Sequence, residues 1–205
     1  MSANRNTNEL SNPVRMSDSM VMAERAVRRA KGDRSWREWK IAMARDLGRL
    51  AEQANRMKLL SLKVAGDFAA IYSVEMPVPR RPANGKLVVG EKAVFHLTYF
   101  EKYRWEAPPP WALLGLVEPA DMWHPNSAVR YRGAICLGAQ QPGVAPREIV
   151  LQGYSAVCLQ SVQLDESDPA GVLNGEACEF YRGHPEYVPL TRVGFLDKWD
   201  GWKGV

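Results

Sequence analysis

The chain has 205 residues, 46% of them hydrophobic, which suits one ordinary domain plus an extension and excludes wholesale disorder. No run approaches the roughly 18 apolar residues needed to span a bilayer, and the polar opening "MSANRNTNELSNPVRMSDSM" lacks the apolar centre of a secretion signal, so a cytoplasmic protein is expected. Residues 1–63 carry 14 Lys/Arg against 7 Asp/Glu and the remainder 13 against 16, so the basic end invites an acidic partner surface or nucleic acid, although no nucleic-acid motif accompanies it.

Residues 1 to about 17 read as a tail. "SDSMVMAERAVRRAKG" predicts a short helix, started near Ser17 or Ser19 and closed before Gly32. Ser35-Trp-Arg-Glu38 has capping-box spacing. From there Trp36, Trp39, Met43, Leu47, Leu50, Ala54 and Met57 recur at steps of three and four, predicting one amphipathic helix to roughly residue 62. Arg45, Arg49, Arg56 and Lys58 fall off that stripe and should face outward. The period then changes to two in "DFAAIYSVEM", as on a half-buried strand, and Asn84-Gly85 marks a turn between strands. "AVFHLTYF" and "WALLGLV" supply further strands, the latter led in by Pro108-Pro109-Pro110, which cannot donate ladder hydrogen bonds.

From Glu118 to Pro146 regular structure is not expected, and a loop of that length in a compact domain is often functional. Helical spacing resumes at Pro146, through Val150, Tyr154, Val157/Cys158 and Ser161/Val162, and "DESDPAG" breaks it. Asn174 then caps "GEACEFYRG", which Gly183-His184-Pro185 ends. The order predicts an α+β fold: N-terminal helix, four-stranded antiparallel sheet, long loop, C-terminal helices. Cys136, Cys158 and Cys178 form no CxxC pair, and His96, His124 and His184 lack ligand spacing, so no disulfide framework, metal or other cofactor is expected.

Four segments in order resemble the ubiquitin-conjugating enzyme family. "VFHLTYFEKYRWEAPPPWALL" is similar to its third strand and proline-rich lead-in. His124-Pro125-Asn126 matches its signature turn, "GAICLG" the segment around its active cysteine, and "DPAGVLNGEACEFY" the opening of its next helix. The match covers about residues 38 to 190. It divides the protein into a tail with a short helical extension (1–34) and a ubiquitin-conjugating-enzyme-like domain (35–205). Departures are a longer Asn-to-Cys spacing, Gly138 where an acid is usual, and Ala107 where the family has a ligase-recognising aromatic. A tryptophan is also missing downstream of the cysteine, and the last helical segment is short. Such divergence is most similar to members found in bacterial operons beside a ubiquitin-like protein and an activating enzyme, associated with antiphage defence.

The resemblance implies that Cys136 carries a ubiquitin-like protein as a thioester and passes it to an acceptor amine. Placed after the turn, Cys136 reads as the nucleophile; Cys158 and Cys178, in helical apolar patterns, read as packing residues. Two roles stay open for Asn126: stabilising the oxyanion of aminolysis, where one lost donor costs about 3 kcal/mol, or hydrogen-bonding its own loop. His124 and Pro125 read as architectural. Asp168, with Asp165 as second choice, matches the acid that positions the incoming lysine, and each reads equally as a turn acid. Arg45, Arg49, Arg56 and Lys58 are implied as the contact for an activating enzyme with an adenylation domain. The expected partners are thus the ubiquitin-like protein, that enzyme and an acceptor protein, with neither membrane nor nucleic acid. The rival within the family is a catalytically inactive variant that only binds ubiquitin-like proteins.

Overall fold

A computed structural model describes residues 16–84, 86–128, 133–165 and 172–204. Residues 1–15 of the tail expected to about residue 17, Gly85 of the turn pair and Asp168 lie outside them. Helix α1 (Asp18–Val27) is capped by the Ser17 hydroxyl, which accepts from the Met20 N–H at 3.2 Å. Helix α2 (Arg34–Gln53) starts earlier than the expected Ser35 box. Asp33 takes the cap, accepting from the Trp36 N–H at 2.9 Å, and Glu38 pairs with Arg34 instead. A carboxylate at this position satisfies an orphan amide and complements the positive end of the helix dipole.

The single helix to residue 62 does not form. Ala54 turns extended, and Met57–Lys63 is strand β1, with Met57 and Leu59 buried and Lys58 and Leu60 exposed. The apolar spacing of "MKLLSLK" fits either period, and pairing with the next strand selects two. Strands β2 (Phe68–Ala83) and β3 (Lys86–Tyr99) form a long hairpin through Asn84 at φ 53°. Strand β4 (Leu114–Glu118) begins after the exposed turn residue Trp111. The segment expected to be irregular holds two short strands, β5 (Ser127–Ala128) and β6 (Ala134–Ile135). The antiparallel sheet therefore has six strands rather than four, in the order β1-β2-β3-β4-β6-β5.

Helices α2 and α3 (Pro146–Val157) share one core with the sheet, through Trp36, Leu47, Leu50, Ile149, Val150 and Val157. Trp39 stacks on Trp36 at 5.0 Å and reaches Tyr99 at 4.6 Å. At Gly153 a Cβ would fall 2.4 Å from Leu114 Cδ2, so glycine lets α3 approach β4 closely, and this outweighs its helix-propensity cost. Helix α3 ends at Val157, sooner than expected, because Leu159 adopts φ 58° and reverses the backbone. Helix α4 (Gly175–Gly183) is capped by Asn174 as expected. Helix α1 joins the same core. Ser19 Oγ accepts from the Leu59 N–H at 3.2 Å, and Glu24 pairs with Arg45 at 2.8 Å.

Gly133 leads into β6 at φ 70°, with its carbonyl bound to the Leu116 N–H, and a Cβ there would sit 2.4 Å from the Leu116 carbonyl oxygen. Paired backbone, unlike a flexible rotamer, has no room to swing aside. Gly133→Ala is expected to cost about 2 kcal/mol, read as a lower urea midpoint at unchanged slope.

Candidate active site

The His124-Pro125-Asn126 turn is held from three sides. The His124 ring is fully buried, its Nε2–H donates to the Ala156 carbonyl at 2.7 Å, and its Nδ1 accepts from the Asn126 N–H at 3.0 Å. The backbone donor at Nδ1 fixes the tautomer. Burial pulls the ring's pKa down to about 4, against an opposing contribution from the Ala156 carbonyl. His124 is thus neutral at physiological pH with both nitrogens engaged, and it offers no base to Cys136. The Pro125 carbonyl accepts from the Leu173 and Asn174 N–H groups at 2.8 and 3.0 Å, which ties the turn to the start of α4. Ser127 then pairs with Ile135, and the Cys136 N–H donates to the Asn126 carbonyl at 2.8 Å.

Cys136 and Asn126 are therefore neighbours despite ten positions of sequence, because β5 pairs antiparallel with β6. The Leu137 N–H donates to the Pro110 carbonyl at 3.0 Å, so the proline lead-in holds the residue after the cysteine. Gly138 sits at φ 73°, a region costly for most side chains and open to glycine. Cys136 is 2% exposed, at the wall of a cleft of about 510 Å³ that Asn126, Gly138, Gln152, Val162 and Gln163 also line. Among the described lining residues Cys136 is the only ionisable one. The cleft thus sets a thiol beside an amide side chain, with no acid or base among its described lining residues.

Asp165 is exposed, its N–H donating to Gln163 Oε1 at 3.0 Å two residues from the lining, while Asp168 lies outside the described residues. Sequence reasoning missed Gln152 and Gln163, since glutamines on a helix and in a loop carry no pattern.

Of the four cations expected on the outer face, Arg45, Arg49 and Lys58 are exposed, although Arg45 is engaged by Glu24 of α1. Arg56 corrects that expectation. It is 3% exposed, donating from Nη1 to the Tyr154 hydroxyl and from Nη2 to the Asp197 carbonyl, each at 2.8 Å, with its guanidinium over the Trp199 ring at 5.0 Å. Because α2 stops at Gln53, Arg56 leaves the helix face and turns inward to hold the C-terminal segment. Lys40, unremarked in the sequence, is also buried, bound to the Lys31 and Gly66 carbonyls at 2.7 and 2.6 Å. Cys158 and Cys178 are buried packing residues, and burial raises the Cys158 thiol to about 12, which makes it a poor thiolate source.

Comparison of the protein with protein-family models, curated proteins and solved structures finds no match in any of the three. The described architecture is α+β with an antiparallel sheet, and among the described residues no helix is long and apolar enough to cross a membrane.

Proposed function

We propose that this protein is a ubiquitin-conjugating-enzyme-like acyl carrier, bearing a ubiquitin-like protein as a thioester on Cys136 and delivering it to an acceptor amine. The supporting observation is the hydrogen bond that seats Cys136 beside Asn126 in one cleft, on a turn whose histidine is structural. In the loading step the Cys136 sulfur attacks the thioester carbonyl on the activating enzyme; a new S–C bond forms and that enzyme's thiolate leaves. In the delivery step a neutral amine attacks, the C–N bond forms, and the Cys136 thiolate leaves and takes up a proton. Asn126 would donate to the oxyanion of that second step. Arg45, Arg49 and Lys58 present the basic surface for the activating enzyme, and Asp165 or Asp168 would orient the amine. The setting is a cytoplasmic bacterial ubiquitin-like conjugation pathway of antiphage defence.

The burial of Cys136 favours a second reading, a variant that binds ubiquitin-like proteins without accepting them. Incubation with activating enzyme, ATP and ubiquitin-like protein, followed by a non-reducing gel, separates the two. A thiol-sensitive adduct that disappears in Cys136→Ala is the expected result, and Cys136→Ser should convert it to a thiol-resistant ester. Binding without any adduct would establish the second reading.

A further inference from the structure

Between β6 and α3 the chain forms neither helix nor strand, and its first residues, Leu137, Gly138 and Ala139, line the cysteine cleft beside Cys136. Two main-chain hydrogen bonds anchor the start of this stretch, from the Cys136 N–H to the Asn126 carbonyl and from the Leu137 N–H to the Pro110 carbonyl. A third anchor is a side chain. Gln140 is buried, and its amide donates from Nε2 to the Leu137 carbonyl at 2.9 Å and to the Gly138 carbonyl at 3.4 Å. Among the described residues no main-chain hydrogen bond closes the turn from Leu137 to Gln140. The side-chain amide therefore stands in for the N–H that closes an ordinary β-turn. Gly138, at φ 73°, supplies the backbone reversal inside it. The wall of the cleft next to the cysteine is thus fastened by a group that one substitution can remove without altering either main-chain anchor.

We propose that Gln140 is a positioning residue for the chemistry of Cys136, an inference that rests on the carrier function proposed above. Gln140 touches no reacting atom. By closing the turn it fixes Leu137 to Ala139 as a wall, which keeps the sulfur in one place in the cleft and shelters it from reagents in solution. Attack on a carbonyl needs the sulfur aligned at about 3–3.5 Å, and a misplacement of about 1 Å can cost on the order of a hundredfold in rate. With the amide removed, the Leu137 and Gly138 carbonyls turn to water and the wall moves about its two main-chain anchors. The sulfur then opens to solvent more often and spends less time aligned. Reactivity toward a small diffusing reagent and reactivity toward a docked thioester therefore change in opposite directions.

The test compares the full-length wild type with Gln140→Met, which keeps the length of the side chain but cannot donate, and with Gln140→Ala. The first measurement needs the protein alone: labelling by iodoacetamide under native conditions, read for each cysteine by peptide mapping. Buried thiols are labelled through local opening. Both variants should raise the labelling rate of Cys136 about tenfold and leave the buried Cys158 and Cys178 at the wild-type rate. The second measurement is thioester loading from the charged activating enzyme. Its rate at saturation should fall about tenfold in both variants, with the half-saturating concentration unchanged, because the buried Gln140 offers that enzyme no surface. Unchanged labelling of Cys136, or a parallel rise at all three cysteines as general destabilisation would give, overturns the assignment, as does faster labelling with undiminished loading. A wild type that forms no adduct removes the carrier function itself, and the positioning role with it; labelling unchanged beside normal wild-type loading removes this inference alone.

Discussion

Replacing His124 with alanine should lower the stability of the protein by about 3 kcal/mol at neutral pH. The ring is fully buried and makes two hydrogen bonds, so its removal leaves a void and strands the Asn126 N–H. The Ala156 carbonyl keeps a second donor, the Leu159 N–H at 2.8 Å, which limits the loss on that side. The same burial gives the wild type a pH signature. A histidine held at about 4 in the folded state and near 6.5 in the unfolded state is neutral in both above pH 6.5. Between those values the unfolded state takes up a proton that the folded state refuses, so stability falls with pH, by about 3 kcal/mol once pH reaches the folded value. Stability is fully present above the unfolded pKa and lost as pH drops. His124→Gln, which keeps a hydrogen-bonding group but cannot titrate, should show a shallower decline of the urea midpoint between about pH 6.5 and 4.5. An equally steep decline would assign the acid sensitivity to other groups.

Arg56→Ala should destabilise the protein to a similar degree, about 3 kcal/mol, through a different part of the molecule. The guanidinium donates to the Tyr154 hydroxyl and the Asp197 carbonyl and lies over the rings of Tyr154 and Trp199 at 5.3 and 5.0 Å. Tyr154 in turn donates to the Val193 carbonyl at 2.7 Å, and Gln160 to Thr191 and Val193. Arg56, just before β1, therefore holds the Asp197 to Trp199 end of this segment, while Tyr154 and Gln160 hold Thr191 and Val193. Two charge-assisted hydrogen bonds contribute about 1.5–3 kcal/mol each, offset in part by the cost of keeping the cation from water. The variant should lower the urea midpoint and make the segment after Thr191 more sensitive to limited proteolysis at native conditions. Loss of stability with unchanged cleavage there would mean that the segment is held by other contacts.

Much of the architecture was legible in the sequence. The three-and-four spacing from Trp36 to Leu50 could only be one helix face, and the alternation in "DFAAIYSVEM" only a strand. Asn174 and Pro146 named two helix starts because capping chemistry is local. The placement of Cys136 beside His124-Pro125-Asn126 was also suggested by motif, and the hydrogen bond from Cys136 to Asn126 provides the geometry. Local pattern failed where two periods fitted equally. "MKLLSLK" continues a helix or begins a strand, and pairing with β2 decided it. That decision turned Arg56 from an outward cation into an internal clamp. Likewise β5 and β6 are two residues each, too short for any alternation to register, and they exist because β4 offers its edge to Ala134. Sequence by itself determined most helices and the long strands, because spacing and capping act over a few residues. Tertiary structure alone decided which cations are buried and that His124 is neutral and fully hydrogen-bonded. Burial and partner choice depend on segments far apart in the sequence, and no local pattern encodes them.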